Sequence, residues 1–235
     1  MKKLGEYIKH WSYSLYGQHK KCPAAVKYSK IDKLQGPSVP AMERGTMIHS
    51  LAEHYLTGGI TGGVPPQLRK LEYEFKTLKR MTPVCEKFWG LDVFWQPMDY
   101  GWVVAKTDAF VPPTKKDPIL INVDHKTGRE YAEHVDQSEL YSAIGFGLYP
   151  QIEEVETCFF YIDQGYVKPY FYTRKQLKEL VLKWLDRGKK LMATRNFLPT
   201  PSREACGWCG FRSDKLLANG KPGPCQAWKV VRNLQ

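Results

Sequence analysis

The stretch Ile119-Leu120-Ile121-Asn122-Val123-Asp124-His125-Lys126 constrains this chain more than any other. It is a nearly continuous apolar run that stops at an acid, a spacer and a lysine. Runs of this length between breakers, here Pro118 and Gly128, read as a strand buried on both faces. Residues two apart on a strand point the same way, so Asp124 and Lys126 leave the end of that strand together. A carboxylate and an ammonium at the edge of a core are costly unless something pairs with them. Two readings follow. One is a structural ion pair that closes the strand; the other is an acid that holds a metal beside a lysine that serves chemistry.

Hydrophobic periodicity places the remaining elements. Ser12 caps a short helix, and a second helix starts with Pro23 in its first turn. A helix is predicted over Glu43–Leu56, with Met47, Ile48, Leu51, Ala52, Tyr55 and Leu56 as its apolar stripe and Gly58-Gly59 as its stop. Another runs from about Gln67 to Lys79, burying Leu68, Leu71, Phe75 and Leu78. The period then changes, and Leu91–Gln96 and Gly101–Val111 read as two strands. After the central strand come a helix at Glu133–Leu148, a hairpin of Thr157–Ile162 and Tyr166–Tyr172 around Asp163-Gln164-Gly165, and a long helix at Arg174–Arg195. The pattern predicts an α/β fold with a mixed central β-sheet flanked by helices, made of antiparallel pairs rather than a βαβ series. One domain over residues 1–235 is expected, with its core at about 41–196.

The formal charge of +11 attracts polyanions, and the basic pairs Lys2-Lys3, Lys20-Lys21, Lys115-Lys116 and Lys189-Lys190 are spread along the chain. Nucleic acid is the favoured partner, against a surface that is basic only for solubility. Hydrophobic content of 43% argues against disorder. No apolar run approaches the ~20 residues of a membrane helix, so no membrane association is expected. Met1–Glu6 is charged and lacks the apolar core of a signal peptide, which makes a cytoplasmic protein the expectation.

Several groups capable of chemistry fall at the ends or faces of these elements. His49 lies on the first core helix, four residues after Gly45. Asp108 sits on the strand before the central one, and Asp124 and Lys126 end the central strand. Gln137 and Tyr141, four apart, share one face of the following helix. Each has an ordinary explanation alone: a satisfied helical histidine, an acid in a turn, a chance polar pair. Hydrolysis of a phosphodiester needs an activated water and relief of charge on the phosphoryl oxygens, both of which a divalent cation supplies. Asp108 and Asp124 offer the hard oxygen ligands that suit Mg²⁺ or Mn²⁺.

The order and placement of these residues resemble the PD-(D/E)XK nuclease superfamily, in its RecB-like exonuclease branch. The resemblance covers nearly the whole chain: Gly45 to His49 on a helix, Asp108 on a strand, Asp124-His125-Lys126 followed by Thr127-Gly128, then Gln137 to Tyr141. It departs at Ala105-Lys106-Thr107-Asp108, where the family more often has a glycine shortly before the acid. The resemblance implies a restriction-endonuclease-like core and a metal-dependent DNA exonuclease acting on single- or double-stranded ends. Such an enzyme would work in recombination, repair or phage DNA metabolism, with recombination or replication proteins as candidate partners. It also implies Asp108, Asp124, Lys126, Gln137 and Tyr141 as catalytic residues. The metal ligands it implies are His49, Asp108, Asp124 and the backbone carbonyl of His125.

Six cysteines in a chain without a secretion signal point to metal or redox chemistry rather than disulfides. Cys206-Gly207-Trp208-Cys209 and Cys225 make three late thiols, and Cys22 is the candidate fourth ligand. RecB-like nucleases of the CRISPR-associated kind look similar, with one early and three late cysteines around a 4Fe–4S cluster. That likeness implies a cofactor clamp joining segments at about 10–30 and 200–228. Zinc at the same four cysteines is the alternative. Cys85 and Cys158 read as ordinary core residues. A rival of a different class is a non-catalytic nucleic-acid-binding or recruitment module with a vestigial nuclease site, and a third is a zinc-stabilised interaction protein. The presence of all six site residues favours catalysis.

Overall fold

A computed structural model describes residues 2–232. In chain order the elements are α1 (Leu4–Tyr7), α2 (Tyr13–Lys21), α3 (Pro23–Val26), α4 (Pro40–Leu56), α5 (Glu72–Arg80), β1 (Val84–Leu91), β2 (Val103–Val111) and β3 (Ile119–Lys126). There follow α6 (Glu133–Leu148), β4 (Glu154–Tyr161), β5 (Tyr166–Thr173), α7 (Leu177–Met192), α8 (Arg203–Gly207) and α9 (Trp228–Arg232). The chain divides into two compact units, Ala41–Leu185 and Met1–Pro40 with Asp186–Gln235. No described helix is long and apolar enough to cross a membrane.

The larger unit is a five-stranded sheet in the order β1-β2-β3-β4-β5. All neighbours are antiparallel except β3 and β4, which run parallel from Ile119↔Glu154 to Lys126↔Tyr161. A parallel pair needs a crossover, and α6 provides it. β3-α6-β4 is therefore a single βαβ unit inside an otherwise antiparallel sheet, which agrees with antiparallel pairs rather than a βαβ series. α6 is buried nearly all round, so its pattern carries no clear polar face.

α4 and α5 supply one apolar layer. Ile48, Ala52, Tyr55, Phe75 and Leu78 pack with Ala109, Val123, Cys158 and Phe160 from the strands. α6 approaches the sheet closely at Gly145, where a Cβ would stand 2.5 Å from Leu120 Cδ2. Polar contacts fix its rotation: Ser142 Oγ lies 2.9 Å from Thr157 Oγ1, and Ser138 Oγ 2.6 Å from the Tyr172 hydroxyl. These bonds satisfy buried hydroxyls that would otherwise be costly.

Two other boundaries differ from expectation. The first strand is Val84–Leu91, not Leu91–Gln96. Asp92 Oδ1 accepts from the backbone N–H groups of Phe94 and Gln96 at 2.8 and 2.9 Å, which turns the chain at once. Gly90 and Gly101 let the backbones meet, since a Cβ at either would lie 2.4 Å from a carbonyl oxygen. Phe94, which suggested a strand, is 80% exposed. The helix expected at Gln67–Lys79 begins as a 3₁₀ turn over Pro66–Leu71 before α5 takes over. Glu72 and Glu74 in the first turn of α5, and Lys79 and Arg80 in its last, complement the helix dipole.

In the smaller unit, Ser12 caps α2 by accepting from the Leu15 N–H, and Pro23 opens α3. Ala25, Phe211 and Leu217 form a small core with Cys22, Tyr28, Leu34 and Cys209 packed against it.

Candidate functional site

The ladder between β2 and β3 is short. It pairs Val111↔Ile121, Phe110↔Asn122 and Ala109↔Val123, and stops there. The next rung would set Asp108 opposite Asp124. Instead the strands part at these two acids, and the backbone groups released must find other partners. Asp108 Oδ2 accepts from the His125 backbone N–H at 2.6 Å, and the Tyr141 hydroxyl donates to the Lys106 carbonyl at 3.3 Å. Side chains thus take over where the ladder ends.

α4 brings His49 to this gap. Ile48 beside it is fully buried and locks the helix on the sheet, while His49 Nδ1 donates to Asp108 Oδ1 at 3.0 Å. On β3, Lys126 Nζ lies 2.6 Å from Asp124 Oδ2. Gln137, from the first half of α6, ties the pair together. Its Nε2 donates to Asp124 Oδ1 at 2.9 Å and its Oε1 accepts from Lys126 Nζ at 2.9 Å. Gln137 thus touches Lys126 directly, whereas the Tyr141 hydroxyl reaches the Lys106 backbone. Lys106 itself pairs with Glu86, which stands across from Asp108 on β1 with a φ of +55°.

The charges respond to this crowding. Burial raises the Asp124 pKa more than Lys126 lowers it, and the nearby Asp108 adds to the rise. Burial also works to raise Asp108, but the His49 hydrogen bond and the field of His125 outweigh it, so its pKa is lowered. The hydrogen bond to Asp108 in turn holds His49 above the ordinary histidine range, against desolvation. Asp124 thus feels Asp108, but it is not among the residues whose ligand atoms gather within 4.8 Å of one another.

The sequence reading used only the backbone of His125. The structure brings in its side chain. Alternation along β3 sends this imidazole to the face opposite Asp124 and Lys126, beneath α4 and α5. There it sits against Phe75, Phe160 and His49. Among the described residues neither ring nitrogen has a hydrogen-bond partner, and Nδ1 lies 3.8 Å from Asp108 Oδ2. Burial drops its pKa to about 4, leaving the ring neutral at pH 7. One ligand atom each from His49, Asp108 and His125 lie within 4.8 Å of one another, and these three could hold a metal ion.

No family model matches this chain, and no curated protein matches it. Among solved structures, one named "Crystal structure of SSO0001" is similar over 94% of this chain and 87% of that one, at 16% identity and a TM-score of 0.48. A likeness at that level carries no argument for function. The site must be judged on its own geometry.

None of the six cysteines is in a disulfide, and in the smaller unit Cys22, Cys206 and Cys225 lie near enough to Cys209 to influence it. Burial pushes the Cys209 thiol up, the Phe211 backbone N–H opposes it, and Cys225, Cys22 and Cys206 add to the rise. Tyr28 is raised by burial first and then by Cys225, Cys22 and Cys209 among its neighbours. Cys225 is held by its N–H donating to the Phe211 carbonyl and its carbonyl accepting from Ser213, both at 2.9 Å. Among the described residues the four thiols do not form a group within the 4.8 Å span that His49, Asp108 and His125 meet. Cys85 and Cys158 lie away in the core of the larger unit, and burial raises both, Cys85 to about 11.

Proposed function

We propose that this protein is a divalent-cation-dependent deoxyribonuclease of the RecB-like type, with a restriction-endonuclease-like core, hydrolysing DNA from its ends. The observation that carries this reading is the parting of β2 and β3 at Asp108 and Asp124, with Lys126 held on Asp124 by Gln137. An ion pair that merely closed a strand would need neither the second acid in the gap nor the histidine from α4.

His49, Asp108 and Asp124 would hold Mg²⁺ or Mn²⁺, with the His125 carbonyl as a further ligand. The bound ion would supply Lewis acidity toward the phosphoryl group and lower the pKa of the attacking water. The chain does the rest. Asp124 and Gln137 fix the Lys126 ammonium so that it can orient the water and offset negative charge growing on the phosphate. Tyr141 keeps the Lys106 backbone in place beside Asp108. The net charge of +11 draws the DNA backbone to the protein.

Cys22, Cys206, Cys209 and Cys225 would hold a 4Fe–4S cluster that clamps residues 10–30 to 200–228. Their mutual influence supports a shared ligand.

The test is incubation of end-labelled linear and circular DNA, single- and double-stranded, with Mg²⁺ or Mn²⁺. Stepwise degradation of linear substrates is expected. Salt-sensitive binding without cleavage under either ion would replace the nuclease with a recruitment module.

A further inference from the structure

We propose that the imidazole of His125 is itself a metal ligand, and that His49, Asp108 and His125 form a two-histidine, one-carboxylate site selecting a transition-metal dication over Mg²⁺. This rests on the nuclease reading and amends its ligand set: the His125 ring takes the place of Asp124 and of the His125 carbonyl, and Asp124, on the other face of β3, holds Lys126 instead. It differs from a backbone role for His125, because the side chain points to the other face of β3.

Three observations converge. The first is the unmet hydrogen-bonding capacity of the ring. Both nitrogens of His125 are buried and, among the described residues, without a hydrogen-bond partner, beside the rings of Phe75 and Phe160, 5.4 and 6.0 Å away between centroids. Orphaned buried polar groups are uncommon in proteins, and each calls for a specific cause. If the position only needed an aromatic filler, phenylalanine would serve without leaving two nitrogens unsatisfied.

The second is direction. From β2 the Asp108 carboxylate faces the ring, with Oδ2 3.8 Å from Nδ1, and from α4 His49 does, its ring meeting it edge-on at 5.8 Å. Three ligand atoms within 4.8 Å of one another can close on one ion at the usual metal–ligand length of about 2.1 Å with small side-chain shifts.

The third is chemistry. Mg²⁺ prefers oxygen and keeps its water, so two imidazoles gain it little. Imidazole nitrogens suit first-row transition metals, and two of them with a carboxylate on one side of an ion leave open positions opposite. Those open positions are what a substrate and a water would need.

The experiment uses the full chain, as wild type and His125→Phe, which keeps the backbone carbonyl and the aromatic packing but removes both nitrogens. Binding of Co²⁺, Mn²⁺ and Mg²⁺ is measured by titration, and nitrogen couplings are counted by pulsed EPR on the Mn²⁺ form. We expect two histidine nitrogens in the wild type and one in His125→Phe. Co²⁺ and Mn²⁺ affinity should fall by about tenfold or more, with Mg²⁺ affinity nearly unchanged. Unchanged Co²⁺ and Mn²⁺ binding in the variant overturns the proposal, as does a wild type with fewer than two nitrogen couplings. Should the variant misfold, the wild-type nitrogen count alone decides. Metal binding as expected with no DNA cleavage would sink the nuclease reading and leave this one standing.

Discussion

His49 and Asp108, on elements far apart in the chain, meet at 3.0 Å where the sheet opens between β2 and β3. Asp124, itself buried, sits across from Asp108 at the end of that ladder and carries the lysine pair. Separating ligand supply from the lysine pair by mutation is the natural first test.

Asp124→Asn keeps shape but removes the charge that holds Lys126. DNA cleavage should fall by at least about 10²-fold, the scale seen when one preorganised electrostatic contact is lost. Lys126→Met should lose a similar factor while binding the metal as wild type does. Cleavage by Asp124→Asn within tenfold of wild type, in a nuclease-free preparation, removes this acid from the mechanism.

Gln137 is a positioning residue, bonded to both members of the Asp124–Lys126 pair. Gln137→Leu should lower the turnover rate about 10–100-fold, with metal affinity and KM for DNA little changed. A rise in KM at constant turnover would instead place Gln137 on the DNA.

Buried neutral histidines make the fold acid-sensitive. His125 has a folded-state pKa of about 4 against an ordinary 6.5, so the unfolded chain takes up this proton first. Its contribution to stability is complete above pH 6.5 and is lost as pH falls toward 4. The size is on the order of 3 kcal/mol, at about 1.36 kcal/mol per unit. His134, half-buried beside the Tyr161 hydroxyl and also lowered to about 4, acts in the same direction. Denaturant midpoints between pH 7 and 4.5 should fall, less steeply for His125→Phe. Parallel profiles for the two proteins would contradict this assignment.

The cysteine site predicts a coloured protein. Broad visible absorbance bleached by dithionite, with iron and sulfide in equal amounts, is expected of the wild type and absent from Cys209→Ser. Cys85→Ser and Cys158→Ser should keep the colour. A colourless protein carrying one zinc would assign the site to zinc.

Phe75 is fully buried and packs on Tyr55, His125 and Phe160. Phe75→Ala should cost about 3–5 kcal/mol. Tyr73, 74% exposed two residues earlier, should tolerate alanine within about 0.5 kcal/mol. Equal effects at the two positions in urea unfolding would mean that α5 presents a different face to the sheet.

Much of this was legible because periodicity reports burial. Glu133–Leu148 and the strand ending at Lys126 agree with α6 and β3. Asp124, Lys126 and Gln137 were readable as a group because strand alternation and helix spacing aim side chains predictably. The position of β1 was not, since Val93-Phe94-Trp95 looks like a strand until Asp92 turns the chain. The parting of β2 from β3 was also invisible: whether two strands stay paired is decided by contacts across the sheet, not along either strand. The His125 ring was overlooked for a related reason. Its partners lie on α4, α5 and β4, and no local spacing encodes them.

The chain between Cys209 and Cys225 folds back on itself. Leu217 donates to the Lys221 carbonyl, Gly223 to that of Lys215, and Cys225 rejoins the backbone at Phe211. At Gly223 a Cβ would lie 2.3 Å from the Arg212 carbonyl oxygen, so this junction admits only glycine. The excursion is thereby tied off at its neck, and its length is uncoupled from the separation of the two thiols. Residues could be added to or trimmed from its tip, in evolution or by design, with the distance between Cys209 and Cys225 unaltered.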